Sequence, residues 1–311
     1  MTGEERVRAA IEFGGPDRIP VLYINRDQMD GDILLYNMPL SNGPNNEWGY
    51  HFINLDDGTM GQPDEPVLPT WEALETFAFP QPDAERRMAS VASFKEQAGG
   101  RYLLGGLGLT GFTLYMFLRG FSNAMIDFLA ERERAEDLLD RIFGFEMDLM
   151  RLAAKAGLHG VHFADDWGRQ DGLIIDPELW RDLFKPRYRA QCECARENGL
   201  HVWFHCCGNI LSIIPDMHEI GMDVINISQP NVVDIEAVGR DFRGKQAFML
   251  PISYQTVSIT GTPAEIHAEA QRLHHALGTP QGGFIGYVEE YGCMGMSEEN
   301  YQACCNAWKG L

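Results

Sequence analysis

From about residue 101 onward, short apolar runs alternate with longer amphipathic stretches, the pattern of repeated βα units that build a parallel sheet. The runs cover 101–106, 160–164, 201–206, 223–227, 246–251 and 284–288, and two earlier ones at 19–24 and 50–54 bring the count to eight. Eight parallel strands predict an α/β fold closed into a (β/α)8 TIM barrel. Helix starts are marked by Asp176-Pro177 and Thr262-Pro263-Ala264-Glu265, each with a capping side chain before a proline at the first helical position. Gly199, Gly221 and Gly278 follow predicted helices, where glycine takes the left-handed conformation at little cost. The segment 56–82, rich in Pro, Gly and Asp, is expected to run over the barrel mouth. The chain shows no repeat of fixed period and no low-complexity tract.

Composition narrows the setting. At 311 residues and 45% hydrophobic, the chain can bury one large core, so a single domain over 1–311 is expected. It contains no run of eighteen apolar residues, and its start, MTGEERVRAAIEF, is charged and helix-like rather than a basic segment leading into an apolar one. The expectation is a soluble, cytoplasmic protein without a membrane partner. Forty-five acidic against 25 basic side chains give a formal charge of −20, which repels nucleic-acid phosphates and anionic lipid surfaces. Seven cysteines, an odd number without a secretory signal, fit a reducing compartment where thiols serve packing, metal binding or catalysis.

The chemistry concentrates at predicted strand ends. In His201-Val-Trp-Phe-His-Cys-Cys207, strand alternation puts 201, 203, 205 and 207 on one face and Cys206 on the other. His205 and Cys207 then point together at the C-terminal end of a barrel strand, where barrel enzymes place catalytic groups. Cys293 follows the last strand, and barrel closure would bring it to the same mouth. One imidazole and two thiolates with an open position suit a catalytic zinc. The alternative is that these are buried thiols acting as small hydrophobes, with His205 satisfied by a neighbour. Cys192 and Cys194 share a predicted helix but face different ways, and with Cys304 and Cys305 they read as structural. A second strand ends in Asp165-Asp166, of which one is expected to act as base, substrate anchor or support to a metal, and the other to cap the following turn. His162 shares parity with Asp166 and could line the barrel interior. Gly105-Gly106-Leu107-Gly108 lacks the glycine fingerprint and the lysine of phosphate-binding loops, so close backbone approach or a turn accounts for it.

Five stretches carry a family resemblance: 6–21 (RVRAAIEFGGPDRIPV), 164–186 (ADDWGRQDGLIIDPELWRDLFKP), 205–215 (HCCGNILSIIP), Gly221-Met-Asp-Val224, and 282–296 with its GCMG. On these the chain resembles the uroporphyrinogen decarboxylase superfamily, in the branch shared with corrinoid-dependent methyltransferases, over nearly its whole length. That family has the (β/α)8 barrel. Its decarboxylases carry an arginine-rich motif after the first strand and Gly-His-Gly near the last. Here the chain reads Pro20-Val-Leu-Tyr-Ile-Asn-Arg26 and Gly292-Cys-Met294, which speaks against porphyrinogen decarboxylation. The methyltransferase branch holds zinc through His-x-Cys and a distant Cys, and the matching residues are His205, Cys207 and Cys293. Cys206 is the rival ligand if the strand bulges, and Glu290 the group that would complete coordination without substrate.

The resemblance implies a zinc enzyme that moves a methyl group between a small methyl donor or a thiol and a cobalt corrinoid (cobalamin) carried by a partner corrinoid protein. It assigns Asp165 or Asp166 to positioning or proton delivery, and Glu290 and Tyr291 to the wall beside Cys293. Methoxylated aromatics (an O-demethylation), methylamines, methanol and methylthiols all remain compatible as donors, and a homodimer agrees with family habit. Two other readings stand beside it: a metal-free decarboxylase or other lyase, and a barrel that binds a ligand without turnover.

Overall fold

A computed structural model describes residues 1–24, 26, 30–42, 45–53 and 61–311. Eight parallel strands carry the fold: β1 (Val21–Ile24), β2 (Ile33–Asn37), β3 (Tyr102–Leu109), β4 (Gly160–Ala164), β5 (His201–Cys206), β6 (Val224–Ile227), β7 (Ala247–Pro251) and β8 (Phe284–Glu289). They pair in sequence from β2 to β8, and β8 pairs with β1, so the sheet curls into a nearly closed barrel. Helices alternate with the strands around the outside, as expected for a (β/α)8 barrel.

The seam between β1 and β2 is closed by Asp32, whose side chain is only 2% exposed. Its carboxylate accepts from Arg6 Nη1 (2.5 Å), from Arg18 Nη1 and Nη2 (2.7 and 3.0 Å) and from the Val21 backbone N–H (3.0 Å), while its own N–H donates to Val21 O (3.1 Å). The charge is thus paired twice over and fully hydrogen-bonded, the condition under which a buried ion is tolerated.

Inward positions follow strand parity. Leu22, Ile33, Tyr102, Leu104, Trp203, Val224, Met249, Ile285 and Tyr287 form one apolar cluster inside the ring. Helix α1 (Gly3–Ile11) plugs the floor: it opens on a capping box between Thr2 and Glu5, and Val7, Ala10 and Ile11 join the interior cluster. A larger cluster fills the layer between the strands and the helices. Among the described residues, no helix is long and apolar enough to cross a membrane.

The second barrel strand differs from the sequence expectation. It is β2, not 50–54: Phe52–Ile53 instead pairs antiparallel with Gln62–Pro63 outside the barrel, and Phe52 and Ile53 are both exposed. Asn54 and residues 56–60 of the expected excursion lie outside the described residues. Its remainder packs on helix α2 (Gly111–Arg119), with Leu68 N–H donating to Leu118 O and Arg119 Nη1 to Leu68 O. The third strand runs past its expected end at 106, through an irregular register between Gly106 and Gly108. The caps at Asp176 and Thr262 form as expected. Gly199 and Gly221 take positive φ, but Gly278 does not; there a Cβ would come within 2.3 Å of the His274 ring.

Helix α3 (Arg132–Lys155) buries a carboxyl group, Glu146, whose Oε2 accepts from Thr110 Oγ1 and from Gln191 Nε2. Its Oε1 and the Oε1 of Gln191 are buried with no partner among the described residues. Burial pushes the Glu146 carboxyl well above its ordinary 4.5, against the opposing pull of the Thr110 hydrogen bond. A proton on Glu146 removes the buried charge and supplies a donor where two acceptors stand unpartnered. The folded chain then holds a proton that the unfolded chain releases above about pH 4.5, so this group costs stability progressively as pH rises from there. Glu146→Gln is expected to be more stable than the unaltered chain at pH 8 by about 1–2 kcal/mol, with the gap closing toward pH 5. Urea unfolding at the two pH values checks this; a gap independent of pH would mean that Glu146 is ionised in the fold.

Candidate metal centre

At the C-terminal mouth the structure brings together His205, Cys207 and Asp166, with one donor atom from each lying within 4.8 Å of the others. Strand parity is the cause. His205 is the last inward residue of β5, and Cys207, two residues on, emerges on the same side with its Sγ 3.6 Å from His205 Nε2. Asp166, two residues beyond the end of β4, points into the same space and places Oδ1 3.9 Å from that nitrogen.

Each donor is held from behind. His205 Nδ1 lies 2.5 Å from Oδ1 of the fully buried Asn226, its register partner on β6, and Asn226 Nδ2 donates to Met249 O on β7 (2.8 Å). An amide whose N–H2 is committed to a carbonyl must accept at its oxygen. The network therefore assigns the imidazole proton to Nδ1 and turns Nε2 toward Cys207 and Asp166. Asp166 Oδ1 accepts from the Cys207 N–H (2.9 Å), and the Asp166 N–H donates to Thr113 Oγ1 (2.8 Å). Behind these loops the backbone meets itself. Gly168 N–H donates to Cys207 O, and a Cβ on Gly208, which has φ +76°, would lie 2.0 Å from Gly168 O.

Burial pulls the His205 pKa down. The hydrogen bond and charge of Cys207, followed by the charge of Asp166, more than restore it, and it is pushed up to about 9. His162 faces the same interior, its ring centroid 6.1 Å from that of His205. Burial and the His205 charge drive its pKa down to about 3, and its buried Nε2 has no partner among the described residues.

The other expected residues are distributed differently. Asp165 has no exposed surface: Oδ1 accepts from Thr113 N–H and Oγ1 (2.7 Å each), and Oδ2 from Phe112 N–H (2.9 Å) and Tyr188 Oη. It thus ties the start of helix α2 to the end of β4, the capping role left open above for one of the two adjacent aspartates. Cys206 lies on the face that strand alternation predicts for it. With no register shift along β5, its thiol points outward, is fully buried and accepts from the Trp167 N–H (3.2 Å). Cys293 is exposed on the short 3-10 turn Gly292–Met294 and stands outside the three-donor group. Glu290 Oε1 accepts from the Gly292 N–H (2.8 Å), shaping that turn. Tyr291 stacks on Tyr254, with centroids 4.5 Å apart and planes at 30°, and donates to Glu289 Oε2 (2.9 Å).

Four residues of the mouth were not singled out from the sequence: Asn226, Tyr254, Tyr287 and Glu289. Tyr254 Oη lies 3.9 Å from Cys207 Sγ, and Tyr287 also donates to Glu289 Oε2. A signal existed for three of them. Asn226 is the lone amide in an apolar strand, and Glu289 and Tyr287 share inward parity with Ile285.

Fold and mouth together define a class: a (β/α)8-barrel protein with a metal-type donor set at the C-terminal ends of its strands. The chain belongs to the uroporphyrinogen decarboxylase (URO-D) family, whose model matches residues 53–310. In fold it is similar to a methyltransferase from Methanosarcina mazei, with 17% identity, a TM-score of 0.75, and coverage of 100% of this chain and 99% of the other. Weaker likenesses, each covering 73% of this chain, are to a 3-keto-D-glucoside 4-epimerase from E. coli (14% identity, 86% of that chain, TM-score 0.44) and to a D-psicose 3-epimerase (12%, 84%, 0.43). No curated protein matches the sequence.

The two adjacent aspartates should separate cleanly on mutation. Asp165→Ala leaves four buried donors without an acceptor and is expected to cost about 3 kcal/mol or more. Asp166→Ala should change stability by about 1 kcal/mol or less while weakening divalent-metal binding about tenfold or more. Thermal unfolding and metal titration on both variants decide the matter; the opposite assignment of effects would exchange the two roles.

Proposed function

We propose that the protein is a zinc-dependent methyltransferase that moves a methyl group between a small methyl donor or thiol and a corrinoid carried by a partner protein, at the C-terminal mouth of the barrel. The observation that carries this reading is the convergence of an imidazole, a thiol and a carboxylate whose imidazole is oriented by Asn226. Nitrogen and sulfur donors of this kind suit zinc, and the residues that would hold it are His205 and Cys207, with Asp166 as the third donor and Cys293 as the further thiol within the same chain segment as Tyr291. When bound, zinc supplies Lewis acidity, lowering the pKa of a thiol or polarising the heteroatom from which a methyl group departs. The chain's own part is to fix the His205 ring through Asn226, to hold Asp166 through Thr113 and the Cys207 N–H, and to close the mouth with Tyr254 and Tyr291. The name of the Methanosarcina protein of like fold agrees with this reading.

Decarboxylation of a polycarboxylate fits the mouth less well. Arg26, the basic residue in the expected substrate-gripping motif, is engaged by Glu298 at 2.7 and 3.1 Å and stacks on Tyr301. Such a substrate would meet Asp166, Glu289 and Glu290 instead.

Purified protein is expected to hold about one zinc per chain and to methylate, or demethylate, a Co(I) corrinoid in a reaction followed by cobalt absorbance. Chelation and Cys207→Ala should abolish both. Cys293→Ala should lower zinc affinity about tenfold or more if this thiol completes the site. Methyl transfer that survives removal of all metal would rule the reading out.

A further inference from the structure

The sulfur of Cys207 has a second polar neighbour besides the His205 ring. Tyr254, three residues beyond the end of β7, brings its hydroxyl oxygen to 3.9 Å from Cys207 Sγ, within hydrogen-bonding reach of a sulfur atom. The Tyr254 ring is only 9% exposed and packs on Tyr291, so the wall of the mouth sets where that oxygen lies. Of the three phenols here, Tyr287 and Tyr291 give their hydrogens to Glu289, and Tyr254 is the one that faces the sulfur.

The direction of the hydrogen bond follows from its surroundings. Ser228 and Gln229 also bear on the Tyr254 hydroxyl. Gln229 spends its amide oxygen on the Gly208 N–H (3.0 Å) and on Gln170 Nε2 (3.2 Å), so the group it has left is its amide nitrogen, a donor. A phenol that receives a hydrogen at its oxygen keeps its own to give. Cysteine holds a metal as the thiolate, which carries no hydrogen and only accepts. The sulfur is also well placed for that role. His205 Nε2 and Cys207 Sγ are 3.6 Å apart, and two ligands about 2.1 and 2.3 Å from a tetrahedral zinc stand about 3.5 Å from each other. The thiol thus stands where a metal would need it, with the Tyr254 hydroxyl already beside it.

We propose that Tyr254 is a positioning residue of the metal centre, its hydroxyl donating a hydrogen bond to the Cys207 sulfur when that sulfur holds the metal. This rests on the metal part of the reading above and holds whatever group is transferred. A hydrogen bond to an ionised acceptor is about twice as strong as one between neutral groups, and it draws charge away from the thiolate. A sulfur that gives less charge leaves the metal more electron-poor, which strengthens the Lewis acidity asked of it.

The test uses the full chain loaded with Co(II), whose bond to a thiolate gives a near-ultraviolet charge-transfer band. A hydrogen bond on sulfur lowers the energy of the electrons that this transition moves. Its loss in Tyr254→Phe is therefore expected to shift the band to longer wavelength and to weaken Co(II) binding about tenfold. Tyr291→Phe, which removes a phenol of the same wall that serves Glu289 instead, should leave the band in place. A second measurement needs no variant: the Co–S stretch of the unaltered chain, read by resonance Raman, should shift between H2O and D2O because an exchangeable hydrogen lies on the sulfur. A band that stays in place in Tyr254→Phe, an equal shift in Tyr291→Phe, or a stretch indifferent to D2O overturns the role of Tyr254 and leaves the metal reading standing. A chain that takes up Co(II) without any thiolate band overturns the metal reading beneath it.

Discussion

Closure of the ring at Asp32 is the constraint on which the other features depend. A carboxylate that is 2% exposed receives two guanidinium groups and a backbone amide, and so joins β1 to β2 across the one seam without regular pairing. An open sheet would leave β1 and β2 with unsatisfied edges and the interior residues exposed to water. Once the ring is shut, the alternation along every strand acquires a common inside. Trp203 and Ile285 then meet as core, and the same parity two residues further up makes His205 and Tyr287 neighbours of a shared space. The pin and the mouth lie at opposite ends of the barrel, which separates stability from chemistry in the manner usual for this fold.

At the mouth, the donor groups are oriented by residues that stand behind them. Asp165 is spent on the first turn of helix α2 and on the Tyr188 hydroxyl, and through Thr113 that turn holds the Asp166 backbone. Asn226 does the same for His205 by giving its amide hydrogens to β7. Both devices trade a buried polar group, costly if unpartnered, for the orientation of a neighbour, and both work because every hydrogen bond involved is made.

Much of this was legible from the sequence where periodicity and chemistry coincide. Alternation over 201–207 was enough to pair His205 with Cys207 and to turn Cys206 away, because a regular strand leaves no choice of face. Seven of the eight barrel strands could be located from apolar runs and turn residues. The second could not, because 50–54 offers aromatic and β-branched residues that drew the assignment, two of which in fact pair antiparallel with 62–63 outside the barrel. Alternation also showed that Asp165 and Asp166 diverge, but not which enters the mouth; that depends on Thr113 and Tyr188, which come from other elements. Cys293 sits on a turn, where no periodicity governs direction, so its nearness in sequence to the last strand could not fix its distance from the other donors.

The contact between Gly168 and Gly208 carries a consequence for how such a mouth can change over generations. The loops after β4 and β5 touch backbone to backbone, and a methyl group at either glycine would overlap the other loop at 2.0–2.4 Å. Those same loops carry Asp166 and Cys207. Neither glycine can therefore drift alone: a lineage that gained a side chain at one would have to widen both loops in the same stroke, and would part the carboxylate from the thiol in doing so. On the β7 and β8 side, around Tyr254 and Glu289, the walls are side chains rather than backbone, so residues there can be exchanged one at a time. On that account the side of the mouth that carries Asp166 and Cys207 is frozen by sterics, and the opposite side is free to diversify.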